Sequence, residues 1–243
     1  MSSRTKKCYT KEFQLSYAQM EPAVVLKPSA LFNFLQDMAS WHAEALGFGY
    51  SHIYPDAWVL LKYRAEFDEY PSGLFSLEIT TEPRGYQKLF AYRDFEIYSG
   101  QKRLGRVSSL WAIVNDKGFV SPQTLNNPIM GPLQKRENDL EFAKIPPLKK
   151  ADAVKNFKIR YEDIDINGHV NNINYIIWAF EALSFDFRSS HRLKTIDVIF
   201  KKEVKYGSEI ISQAEFKDEN TTIHAIKNAE TNEDLCYIQA VWD

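Results

Sequence analysis

The chain has 243 residues, 44% of them apolar, with a formal net charge of −2 and two cysteines. That length suits one large domain or two of ordinary size, the charge lacks the basic excess of a nucleic-acid binder, and two cysteines make no disulfide framework. No window approaches the ~20 apolar residues of a membrane span, and the basic start Met1-Ser2-Ser3-Arg4-Thr5-Lys6-Lys7 lacks the apolar run of a secretion signal, so a reduced cytoplasm is the expected location.

Sixteen Phe and thirteen Tyr favour strands and apolar pockets. The first strand lies around Phe13-Gln14-Leu15-Ser16-Tyr17. A helix over 29–46 follows: Pro28 suits its first turn, Leu31, Phe34, Leu35, Met38 and Trp41 recur at helical spacing, and Gly47 suits its stop. The period then changes to two. Strands are expected near 58–68, 74–81, 89–98 and 107–114, with turns at Pro71-Ser72-Gly73 and Ser99-Gly100. Residues 119–150 hold five of the ten prolines and few apolar runs, and read as a surface linker.

The order of elements then repeats. Phe157-Lys158-Ile159-Arg160-Tyr161 restates the pattern Phe-x-aliphatic-x-Tyr at an offset of 157 − 13 = 144. Ile173, Ile176, Ile177, Phe180 and Leu183 mark a helix over 171–184, and strands follow near 195–204, 209–216, 221–228 and 235–242. Gly73 and Gly207 mark equivalent turns. A strand, one long helix and four strands, twice over, predict an α+β fold in which an antiparallel sheet wraps a central helix. The halves are assigned to residues 1–120 and 151–243, with 121–150 between them.

The densest chemistry lies just ahead of the second helix. Asp163-Ile164-Asp165-Ile166-Asn167-Gly168-His169-Val170-Asn171-Asn172 packs two carboxylates, one imidazole and three carboxamides into ten residues. A helix cap accounts for Asn171 or Asn172. It leaves Asp165, Asn167 and His169, whose spacing of two places them on one face of an extended chain. At the offset of 144 the first half has Glu21, Ala23 and Val25 in their place, so only the second half is armed. Glu203, expected in the strand after the helix, is a further carboxylate, although beside Lys201 and Lys202 it also suits an ordinary exposed strand.

The run 163–183, with Glu203 behind Lys201-Lys202, resembles the acyl-acyl-carrier-protein thioesterases. Their motif reads Asp-x-Asp-x-Asn-x-His-x-Asn-Asn ahead of an aromatic-rich helix, and every polar position of it is present here. Thr81-Glu82-Pro83-Arg84-Gly85-Tyr86-Gln87, continuing to Ile97, looks like that family's first-half segment. The resemblance implies a tandem double hotdog and hydrolysis of a fatty acyl thioester on acyl carrier protein, the step that ends chain elongation. It implies no cofactor, the phosphopantetheine arriving on the carrier, and it implies Asp165, Asn167, His169 and Glu203 as the catalytic residues. Many plant members carry Cys directly after the glutamate, where this chain has Val204. Cys8 and Cys236 lie outside the motif, and no Gly-x-Ser-x-Gly elbow is present. What is left is water activated by acid–base groups, or direct attack by a carboxylate.

In that chemistry His169 and Glu203 suit proton handling, since an imidazole exchanges protons near neutral pH and a carboxylate can orient it. Asp165 would hold the water or polarise Asn167, whose amide can donate to the oxyanion. The helix start near 170–173 is expected to add unpaired N–H groups. Which carboxylate is the base stays open. Trp41 and Trp178 are candidates for lining an acyl tunnel, though a core position suits either. Lys201, Lys202 and Lys205, with Lys149-Lys150, are candidates for docking an acidic carrier protein. His42, His52, His191 and His224 show no His-x-x-x-His pairing, so no metal site is expected. An acyl-CoA thioesterase, a hydro-lyase on a β-hydroxyacyl chain and a non-catalytic acyl-binding module are the rival readings. The oligomeric state, a homodimer included, stays open.

Overall fold

A computed structural model describes residues 6–243, which form two compact units, one reaching to Glu141 and the other starting at Phe142. In the first, β1 (Tyr9–Gln14) leads into a small hairpin of β2 (Met20–Glu21) and β3 (Val25–Leu26). α1 (Pro28–Ala45) and the short α2 (Tyr50–Ile53) follow, then β4 (Ala57–Phe67), β5 (Ser76–Gln87), β6 (Phe90–Ser99), β7 (Lys102–Asn115) and β8 (Gly118–Val120). The strands run antiparallel in the order β1-β5-β6-β7-β4, with β8 on β7. In the second unit β9 (Ala153–Lys158) precedes α3 (Asn172–Glu181), α4 (Phe185–Ser190), β10 (Leu193–Phe200), β11 (Glu209–Phe216), β12 (Thr221–Asn228) and β13 (Asp234–Trp242). Its antiparallel order is β10-β13-β12-β11-β9.

Each long helix forms where the sequence carries an apolar stripe. Pro28 occupies the first turn of α1, and Gly47, at φ 84, adopts the left-handed conformation just past its end. Leu31, Phe32, Leu35 and Met38 of α1 are fully buried. In the second unit Ile176, Trp178, Ala179 and Phe180 of α3 are buried, packed against β9, β11, β12 and β13. Burying a side chain of this size contributes ~1.5–3 kcal/mol, so these helix–sheet contacts form the cores. This is the α+β architecture the repeat predicts. Among the described residues no helix is long and apolar enough to cross a membrane.

Several boundaries depart from expectation: β1 and β9 start four residues early and β7 five, and three further departures have a local reason. α3 stops at Glu181 because Ser184 caps a new helix, α4, by accepting from the Phe187 N–H. β5 continues past 81 to Gln87 across a register shift between Pro83 and Gly85. Gly85 has φ 106, and the Gly131 carbonyl oxygen occupies the space a Cβ would need, so the strand passes there only as glycine. β10 ends at Phe200, and residues 201–205 run on outside the ladder. The proline-rich segment is tied to β5 over its first part: the Tyr86 N–H donates to Gly131 O (2.9 Å) and the Leu133 N–H to Tyr86 O (2.7 Å). The Arg84 guanidinium adds bonds to Asp139 (2.7 Å), the Gln134 carbonyl (3.0 Å) and Asp94.

The repeat is closer in structure than in sequence. β1 and β9 begin and end at the offset of 144, from 9 to 153 and from 14 to 158. Lys27 and Asn171 are the N-caps of α1 and α3, and the pairing of Met20 with Leu26 recurs as Ile164 with Val170. Gly168 has φ 78, and its counterpart Val24 is held at φ 58. A β-branched residue pays on the order of 1–3 kcal/mol for that conformation, so the fold, and not the local residue, dictates this turn.

His224 on β12 is fully buried, with Nε2 2.9 Å from the Thr222 hydroxyl and its ring edge-on to Phe180 at 5.7 Å. Burial pushes its pKa down to about 3. The unfolded chain, whose histidine titrates at about 6.5, binds a proton in that window that the folded chain refuses, so stability falls as the pH drops through it. Acidification from pH 7 to pH 5 is expected to remove about 2 kcal/mol through this residue. Urea unfolding at both pH values checks it, with His224→Gln losing less than wild type.

Candidate active site

The armed loop is built from its ends inward. Residues 161–163 make one 3-10 turn, and the Asp163 carboxylate, 1% exposed, accepts from the Arg160 backbone N–H (2.7 Å) and guanidinium (2.6 and 3.1 Å). The Asp163 carbonyl accepts from the Asn171 N–H (2.8 Å) and from the Asn174 side-chain amide (3.1 Å). Asp163 thus joins the entry of the loop to the start of α3. The first aspartate of the motif is an anchor.

Between those ends the chain turns back on itself, which corrects the expectation of an extended face. The Asp165 N–H donates to His169 O (2.8 Å) and the Gly168 N–H to Asp165 O (3.0 Å). Asp165 Oδ1 accepts from the backbone N–H groups of Asn167 (2.8 Å) and His169 (3.4 Å). A short carboxylate that bonds the backbone two residues on favours a turn over a strand, and Gly168 supplies the positive φ the turn needs. Asp165 therefore shapes the loop, Asn167 is exposed at its tip, and His169 emerges half-buried.

Glu203 requires a second correction, because it lies beyond the end of β10 and not in a strand. The Val170 N–H donates to the Val204 carbonyl (2.9 Å), which lays residues 201–205 alongside the loop. Glu203 Oε2 is then 3.2 Å from His169 Nδ1, with the two side chains 54% and 27% exposed. A pair this wet adds little to stability. Both side chains stay within reach of solvent.

The helix start is a third correction. The N–H groups of Val170, Asn171 and Ile173 are taken by Val204 O, Asp163 O and Asn171 Oδ1 (3.0 Å), so the first turn of α3 is not the open donor set expected of it.

The remaining candidates separate. Trp178 is a core residue of the second unit, against Phe157 (6.1 Å) and Tyr175 (5.5 Å) between ring centres. Trp41 is half-buried on α1 with the Lys11 ammonium 3.9 Å over its ring. Lys201 lies 3.9 Å from Asp234 and 4.9 Å over the Tyr237 ring, Lys202 pairs with Glu233, and Lys205 is exposed. Lys150 is 2.9 Å from Asp152. Cys8 is exposed and Cys236 buried, and burial pushes the Cys236 thiol well up, away from the reactive thiolate. Two residues escaped the sequence reading. Arg160 clamps Asp163 at a spacing of three, a signal available in the chain. Tyr175, whose hydroxyl lies 3.3 Å from the Lys202 carbonyl, is indistinguishable in a helical stripe from any core aromatic.

Comparison with known proteins places the chain by family and fold. The family model described as the acyl-ACP thioesterase N-terminal domain matches residues 6–119, and that of the acyl-ACP thioesterase C-terminal domain matches residues 147–243. A chloroplastic palmitoyl-acyl carrier protein thioesterase of Gossypium hirsutum is 24% identical over 226 residues, 83% of this chain and 53% of that protein. The chain spans about half the length of the curated relatives it matches. An acyl-ACP thioesterase structure from Bacteroides thetaiotaomicron superposes with a TM-score of 0.85 at 23% identity, over 99% of this chain and 100% of that one. The 12:0-ACP thioesterase from Umbellularia californica gives 0.85 at 17% identity, over 98% of each. At such identities the likeness establishes the fold, the tandem hotdog.

Proposed function

The chain belongs to the acyl-ACP thioesterase family, and from that premise we propose that it hydrolyses the thioester of a fatty acyl-acyl carrier protein, releasing the fatty acid and ending chain elongation. The observation that carries this reading is the 3.2 Å contact between His169 and Glu203, set by a loop with every polar residue of the motif.

In the proposed mechanism a water held at the pair gives up its proton as its oxygen attacks the thioester carbonyl. Glu203 and His169 take that proton as a unit. The exposed Asn167 amide donates to the oxyanion, an interaction typically worth roughly 10²–10³ in rate. Collapse of the tetrahedral intermediate breaks the carbon–sulfur bond, and the proton passes to the departing thiolate of the phosphopantetheine arm. Asp165, whose Oδ1 is committed to loop N–H groups, positions this machinery. Lys201 and Lys202 already hold carboxylates of this chain, so their attraction for an acidic carrier is partly cancelled and Lys205 carries most of it. The two free cysteines suit a reducing cytoplasm.

The test is hydrolysis of one acyl chain presented on carrier protein and on CoA. The proposal expects kcat/KM at least about tenfold higher on the carrier, a difference of ~1.4 kcal/mol. Equal or faster cleavage of the CoA ester would replace it with the acyl-CoA thioesterase reading, and no cleavage of either would leave an acyl-binding module.

A further inference from the structure

We propose that Tyr175 is a positioning residue that aims Glu203 at His169, an inference that rests on the reading of those two side chains as the acid–base pair. Tyr175 is 2% exposed on α3. Its hydroxyl lies 3.3 Å from the Lys202 carbonyl, to which it donates. The phenol therefore holds the peptide group that leads into Glu203.

That engagement matters because residues 201–205 have left the sheet. The segment is fixed at one end by the Lys201 and Lys202 N–H groups on Leu235 O of β13 (2.8 and 3.2 Å), and at the other by the Val170 N–H on Val204 O. Tyr175 is the side chain that reaches it from the core. Its ring is held in turn by edge contacts with Trp178 (5.5 Å) and Phe200 (5.9 Å), so the hydroxyl has a fixed place.

The first unit supplies the internal control. At the offset of 144, established by β1 and β9 and by the two helix caps, the counterpart of Tyr175 is Leu31, which is fully buried. Packing a helix on this sheet thus needs an apolar side chain at that position and no hydroxyl. The unit with Ala23 and Val25 in the loop carries leucine; the unit with Asn167 and His169 carries tyrosine. A buried hydroxyl is kept only where it has a partner, and here the partner is the backbone that presents Glu203.

Tyr175→Phe keeps the ring and deletes the hydroxyl. The inference expects kcat on acyl-carrier protein to fall by about 10- to 100-fold, the scale of a misplaced catalytic group, with KM within about twofold and unchanged circular dichroism. A readout without substrate accompanies it: the imidazole ¹⁵N chemical shifts of His169 in wild type, Tyr175→Phe and Glu203→Gln. Tyr175→Phe should move them toward the Glu203→Gln values. Wild-type shifts, or wild-type kcat, in the phenylalanine variant would overturn the inference. If wild type cleaves no acyl thioester while Tyr175→Phe still moves the shifts, the positioning of Glu203 stands and the reading of function fails. Should the phenylalanine variant not fold, Tyr175→Leu, which installs the residue of the first unit, takes its place.

Discussion

Replacing His169 by alanine is expected to lower turnover of an acyl-carrier-protein thioester by roughly 10²-fold or more, the usual scale for an acid–base group, and Glu203→Ala to do the same. Neither change should cost much stability, because the pair is 27% and 54% exposed and wet ion pairs contribute little. In the proposed mechanism the two side chains act as a unit, so the double variant should be scarcely slower than either single one. Steady-state kinetics on the three proteins, with thermal melting as the folding control, decides the matter. Additive losses, or a Glu203→Ala protein of wild-type rate, would mean that the 3.2 Å contact is incidental.

The opposite signature is expected of Asp163→Ala, which should lose both stability and activity. Its carboxylate is buried and accepts four bonds from Arg160, and its carbonyl holds Asn171 and Asn174. Without the carboxylate the Arg160 N–H and guanidinium lose their acceptor and the entry of the loop loosens, while the backbone carbonyl that alanine keeps still accepts from Asn171 and Asn174. Hydrogen bonds to a charged group contribute about 1.5–3 kcal/mol, and a loss on the order of 3 kcal/mol is expected in urea unfolding. The guanidinium is 68% exposed and returns to water, which limits the cost. An unchanged unfolding midpoint with abolished turnover would make Asp163 a participant in the chemistry and not an anchor.

Much of this architecture was legible in the chain because long periodic segments leave few alternatives. The stripe of α1 and the alternation of β11 and β12 were bounded within a residue or two, and the offset of 144 read from Phe13 and Phe157 holds for whole elements. The armed residues were legible too, since Asp165, Asn167 and His169 have no counterpart beyond Glu21 in the other half. Their geometry was not. A spacing of two suits a strand and a turn alike, and only the bond from Asp165 Oδ1 to the following N–H groups decides for the turn. Glu203 was found, but its release from β10 depends on a bond to Val170 that no local pattern encodes. Tyr175 was hidden in an apolar stripe, and Gly131 over Gly85 joins positions far apart in sequence.

The measurement that bears most directly on a thiol-free site is acyl-carrier-protein hydrolysis by the Cys8→Ala/Cys236→Ala protein, with and without His169→Ala. Val204 stands where a thiol would follow the glutamate, and Cys236 is buried with its thiol pushed up. The cysteine-free protein is therefore expected to keep nearly the wild-type rate, to resist thiol alkylation, and to lose roughly 10²-fold or more when His169→Ala is added. A folded cysteine-free protein without activity, beside an active Glu203→Ala variant, would contradict it.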